Sequence, residues 1–209
     1  MFKITYQVRT YLECVQMGWE EWQQAMKTAI PIVKKYRQML ADREKLTDEA
    51  ARKKAKLAAD AVKRTLPGAC FQASDFAVSI GDDPEKKYNY GKAGRWRDMR
   101  YAYLSGLVVI DVDHCGNPRE LFVRLQREHD LKKLGIVLVY VSASKDGMKI
   151  VFMADPEYPH NLICQQWQMA ERLGVLQYVD DQCKDSARLS FLTTPDDVLS
   201  CDEKELFNR

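Results

Sequence analysis

"SGLVVIDVDHCGNPREL", residues 105–121, is the stretch on which the reading of this chain turns. Apolar residues run from Leu107 to Ile110, and two aspartates come next at alternate positions, Asp111 and Asp113. Strand side chains alternate between faces, so both aspartates share one face about 6–7 Å apart, and Ile110 and Val112 take the other. Adjacent carboxylates resist joint ionisation unless a cation lies between them. Hard divalent ions such as Mg2+ or Mn2+ suit such oxygen ligands. Two of them about 4 Å apart can clamp the attacking and leaving oxygens of a phosphoryl transfer. A lone pair of strand-end aspartates is more often solvated or caps a helix, so the neighbouring segments have to decide.

Downstream, Asn117 as N-cap, Pro118 at the first helical position and Glu120 at the third open a helix that runs to about His129. "GIVLVYVSASKDGMKIVFMA" is two strands joined around Asp146-Gly147, a hairpin signal. "PHNLICQQWQMAERLG" is an amphipathic helix stopped by Gly174, and a last strand is expected at Arg188–Leu192. Strand, helix, hairpin, helix, strand describes an α+β fold: an RRM-like open, largely antiparallel sheet with helices packed on one face. Upstream, "FKITYQV" reads as a first strand, and a helix from Trp19 to about Ala41 should be interrupted or kinked at Pro31. A second helix comes after it, with Thr47 as N-cap. "LPGACFQASDF" contains a short strand, and "SIGDDPEKKYNYGKAGRWRDMRYAY" reads as a long loop or flap. The expected division is an N-terminal strand and helical segment at 1–66, packed on a catalytic domain at 67–209.

Composition bounds the rest. The 209 residues are 46% hydrophobic, enough for one sizeable domain, and the net charge of +2 carries no signal of its own. No run reaches the roughly 18–20 apolar residues of a membrane span, and the first residues lack a signal core. A cytoplasmic protein without membrane contact is expected. Six scattered cysteines with no CxxC spacing read as reduced thiols, not a zinc site.

Other groups could share the chemistry of the aspartate pair. "SASKDGMK" places Ser142, Ser144 and Lys149 around a tight turn, where hydroxyls, backbone amides and one cation can hold a polyphosphate. "VDDQCKDSARL" offers Asp180, Asp181 or Asp185 as a third acidic ligand, and Arg188 for a phosphate. Arg95, Arg97 and Arg100, with Trp96 among them, combine charge and a flat ring as single-stranded nucleic acid requires. The basic run Arg52, Lys53, Lys54, Lys56, Lys63 and Arg64 reads mainly as a solvated helix face. His114 reads as structural, and His160 as a helix-start residue that could also contact a nucleotide.

These segments in order, "LPGACFQASDF", "SGLVVIDVDH", "VSASKDGMKIV", His160 and "VDDQCKDSARLSFL", resemble the archaeo-eukaryotic primase superfamily. The similarity is closest to bacterial primase-polymerase domains found beside VirE-like helicase regions and in CRISPR-associated prim-pols. It spans Leu66 to about Thr194. It implies a DNA primase/polymerase-type nucleotidyltransferase with Asp111, Asp113 and Asp180 as catalytic metal ligands for Mg2+ or Mn2+. It further implies Ser142, Ser144, Lys149, Arg188 and His160 as nucleotide contacts. Nucleoside triphosphates, a single-stranded DNA or RNA template with primer, and a helicase domain or protein are the implied partners. Asp180 is preferred to Asp181 on the pattern of that resemblance. Two departures stand out: Lys149 occupies a position where many members have histidine, and Lys145-Asp146 begins a turn where this subfamily usually has glycine. Two alternatives remain open on the residues alone, a non-catalytic nucleic-acid or nucleotide binder and a haloacid-dehalogenase-type phosphatase, which also ends a strand in DxD.

Overall fold

The computed structural model describes residues 3–5, 15, 16, 18–85, 87, 90–180 and 185–207, and shows an α+β protein built around a four-stranded antiparallel sheet. Short strands β1 (Lys3–Thr5) and β2 (Val15–Gln16) precede two long helices, α1 (Trp19–Glu44) and α2 (Glu49–Lys63). Helix α1 runs unbroken through Pro31, so the expected interruption is absent. Helix α2 starts one residue later than Thr47 would set it, because the Asp48 carboxylate accepts the Ala51 N–H at 2.7 Å. Next come β3 (Gly68–Cys70), β4 (Ala73–Phe76), β5 (Ser79–Ile80), β6 (Ala93–Gly94) and β7 (Ala102–Leu104). The stretch read as a flap is therefore partly ordered by β4–β7 and β5–β6 ladders.

The central segment keeps the expected order. It comprises β8 (Leu107–Val112), α3 (Pro118–Glu128), β9 (Ile136–Val141), β10 (Met148–Met153) and α4 (Leu162–Arg172). Strands β11 (Ser190–Phe191) and β12 (Val198–Cys201) and helix α5 (Glu203–Phe207) complete it. The main sheet has the order β12-β9-β10-β8, and a smaller sheet has β11-β3-β1-β2. All pairings between these strands are antiparallel. A dehalogenase-type DxD strand sits in a parallel sheet, whereas the pairings of β8 among the described residues are antiparallel.

Both faces of the main sheet are covered. Leu121, Phe122 and Leu125 of α3, with Met169 and Ala170 of α4, pack on Val108, Ile110, Val139 and Ile150. On the opposite face Trp22 and Met26 of α1, Phe71 and Phe207 pack on Leu107, Val109, Leu138 and Val151. Residues 107–110 of β8 and the whole of β9 are accordingly buried on both sides, as strands between layers are. The expectation of helices on one face thus describes α3 and α4 only; α1 and α5 close the other. A third cluster joins the helix pair to the β9–β10 turn through Val33, Tyr36, Ala59, Leu66 and Ala143.

Candidate metal centre

Strand β8 lies at the edge of the main sheet, bonded to β10 on one side. An edge leaves backbone donors and acceptors to be satisfied by something else. Two buried side-chain amides do part of this. The Val109 N–H donates to Gln72 Oε1 at 3.1 Å, and Gln166 Nε2 donates to the Val109 carbonyl at 2.9 Å. Farther along, residues 178–180 form a short antiparallel ladder. The Asp113 N–H donates to Tyr178 O at 2.8 Å and the Asp180 N–H to Asp111 O at 2.9 Å, with Val112 opposite Val179.

This register sets Asp180 opposite Asp111, and directly opposed residues on one face have Cβ atoms about 5 Å apart. Ligand oxygens of Asp111, Asp113 and Asp180 all lie within 4.8 Å of one another. On the other flank Lys149 is the β10 partner of Asp111, and its ammonium pairs with Asp111 Oδ2. Arg188 Nη2 approaches Asp180 Oδ2 at 3.5 Å. Lys149, Asp111 and Asp180 therefore form one row across three chain segments, and Arg188 meets the Asp180 end of it.

The gathered carboxylates repel one another. Burial, and then the negative charge of Asp180, push the Asp113 carboxyl above its ordinary value, against the opposite pull of Lys63 and His114. Among the described residues, none donates a hydrogen bond to the buried Asp111 Oδ1. Burial raises the pKa of the neighbouring Cys115 thiol, and among the described residues the donors that converge are carboxylate oxygens. Such a set fits a hard divalent ion, Mg2+ or Mn2+, and not a soft one.

The β9–β10 turn is pressed against this strand end. A Cβ on Gly147 would stand 2.1 Å from Val112 O and 3.1 Å from the Asp113 Cα, so only glycine fits there. His114, at φ 53°, pairs through Nδ1 with Asp146, and the Cys115 N–H donates to Asp146 O at 3.1 Å. Inside the turn the Ser142 and Ser144 hydroxyls are 3.0 Å apart, and the Gly147 N–H donates to Ser142 Oγ at 3.2 Å. Arg37 of α1 fastens the turn from outside, donating to Ala143 O at 2.9 Å.

Beside the triad opens a cleft of about 810 Å3, lined by Arg64, Arg97, Arg100 and Arg188 with Asp98 and Asp185 among them. Arg100 is held by Asp82 at 2.7 Å and by Asp98, and Arg95 is held by Asp75 at 2.9 Å. Trp96 is a correction: its ring is buried and its Nε1 donates to Lys92 O at 2.8 Å, so it presents no face for base stacking. The loop needed an aromatic anchor, and Trp96 supplies it. His160 lines an adjoining pocket of about 610 Å3 that shares Met99, Arg100 and Asp185 with the cleft. Asp181 lies outside the described residues. Sequence reasoning missed Gln72 and Gln166, which carry no motif, and passed over Lys63, whose setting reads as a solvated helix face.

Residues 90–199 match the family described as BT4734-like, N-terminal domain. The chain belongs to this BT4734-like family. No curated protein and no solved structure matches the chain. The BT4734-like span contains the whole triad, the serine-bearing turn and Arg188; α1, α2 and Gln72 precede it.

Proposed function

We propose that this BT4734-like chain is a DNA primase/polymerase-type nucleotidyltransferase of the archaeo-eukaryotic primase kind. The observation that carries the reading is the convergence of Asp111, Asp113 and Asp180 from two chain segments within 4.8 Å, beside an arginine-lined cleft. Asp111, Asp113 and Asp180 would hold Mg2+ or Mn2+, which supplies charge neutralisation and activation of phosphate and hydroxyl oxygens. Lys149 fixes one oxygen of Asp111 and so orients that carboxylate. Arg188, already turned toward Asp180, offers a planar fork to a phosphate. Ser142 and Ser144 add hydroxyls and a rigid turn next to Asp113. The reaction joins a primer 3′-oxygen to the α-phosphorus of a nucleoside triphosphate, and the bond to pyrophosphate breaks. Catalysis then rests on position and charge, not on a covalent intermediate with the protein. Single-stranded DNA or RNA is the template in this reading, and a helicase domain or protein its working partner.

The test is incubation with Mn2+ or Mg2+, labelled ribo- and deoxyribonucleotides and single-stranded template, with and without primer. Incorporation by the unaltered protein, and none by folded Asp111→Ala or Asp113→Ala, is the expected result. Tight binding of the strand with no incorporation under either metal would assign the chain to a binding role instead.

A further inference from the structure

Helix α2 ends beside the arginine-lined cleft, although it precedes the family-matched span. Its last helical residue, Lys63, sets its ammonium 5.9 Å from the Tyr36 ring centroid and 5.6 Å from that of Phe191. Phe191 and the next residue, Arg64, both line the arginine cleft, and Ala143, between the two turn serines, packs in the cluster with Tyr36, Leu66 and Phe191. Lys63 therefore stands between the serine turn and the cleft, held against two aromatic faces. Lys149 is placed differently: its ammonium lies down on the sheet, engaged by Asp111, and its side chain is only 12% exposed.

We infer that Lys63 is a polyphosphate-binding residue of the active site, contacting the β- and γ-phosphates of the incoming nucleoside triphosphate. Arg64 and Arg188 flank the same anion from the cleft. This rests on the nucleotidyltransferase reading for the identity of the ligand. A compact ammonium suits a phosphate as a point charge, and loss of one charge-assisted contact weakens binding by about tenfold or more.

The experiment is calorimetric titration of the full chain, in Mg2+, with dATP, dAMP and inorganic tripolyphosphate. Lys63→Gln should bind dATP and tripolyphosphate about tenfold or more weakly, with dAMP affinity unchanged, and Lys63→Arg should restore most of the loss. Lys53→Gln, on an exposed turn of the same helix, should bind like the unaltered protein. Equal dATP binding by Lys63→Gln and the unaltered protein overturns the inference, as does an unaltered protein that binds neither dATP nor tripolyphosphate. Lys63-dependent tripolyphosphate binding without any nucleotide incorporation would uphold Lys63 and overturn the polymerase reading. Incorporation unaffected by Lys63→Gln, with unchanged dATP binding, would do the reverse.

Discussion

Asp197 is a buried carboxylate with four side-chain partners. It is 2% exposed and accepts hydrogen bonds from Thr193 Oγ1 at 2.9 Å and Thr194 Oγ1 at 2.8 Å, with Arg37 at 2.7 Å and Arg119 at 3.3 Å. Burial pushes its carboxyl upward, but the Thr194 hydrogen bond, Arg37 and Thr193 together hold it below the ordinary range. A depressed carboxylate contributes stability above its unfolded pKa of about 3.9, and that contribution disappears as pH falls through the lower folded value. Asp197→Asn should cost about 3 kcal/mol in urea unfolding at pH 7 and flatten the acid limb of the stability profile. An unchanged acid limb would remove Asp197 from that role. Asp113 has the opposite sign. Its carboxyl is raised by burial and by Asp180, so metal-free protein should lose stability as pH climbs through and above the carboxylate range. Asp113→Asn should melt higher than the unaltered protein without metal at pH 7. The unaltered protein should gain about 2.7 kcal/mol at a Mg2+ or Mn2+ concentration 100 times its dissociation constant, and the variant should gain little. Equal metal-induced shifts in both would detach Asp113 from the cation.

Among the elements, the β9–β10 hairpin and the edge of β8 decide whether the triad exists. The hairpin was legible because Asp146-Gly147 between two apolar runs is local turn chemistry, and α3 was legible through Asn117 and Pro118, whose capping needs no distant partner. The DxD stood out because alternation places Asp111 and Asp113 on one face before any fold is known. What could not be read is what depends on distant chain. Gln72 and Gln166 satisfy a strand edge 37 and 57 residues from Val109. Burial of Trp96, passage of α1 through Pro31 and the seating of Lys63 on Tyr36 and Phe191 likewise depend on packing against distant segments. Gly147→Ala forces a Cβ into the Val112 carbonyl, an overpacking change that typically costs about 1–3 kcal/mol. Because it parts the turn from Asp113, it should also weaken Mn2+ binding in a thermal-shift titration. Retention of unaltered Mn2+ affinity would show that the turn does not shape the metal centre.

For the molecule as a whole, the decisive feature is that the helices before residue 67 finish the core of the segment after it. Trp22 is 1% exposed, with ring centroids 6.0 Å from Phe71 and 6.1 Å from Phe207, so α1, the small sheet and the terminal helix share one packed cluster. The same cluster contains Leu107 and Val109, the residues that lead β8 to Asp111. Arg37 holds the serine turn and Lys63 lies against Phe191 of the cleft, so the helix pair also bears on the site. A fragment beginning at residue 67 would bare this face of the main sheet, and exposed apolar patches of that kind drive association. The segments on either side of residue 66 share that core, so they are expected to melt together. Trp22→Ala should cost about 3–5 kcal/mol and lower, in a single coincident transition, the far-ultraviolet signal of the helices, the near-ultraviolet signal of the sheet core and the capacity for Mn2+. Two resolved transitions, with Mn2+ binding surviving the first, would mean that residues 67–209 build the metal centre without α1 and α2.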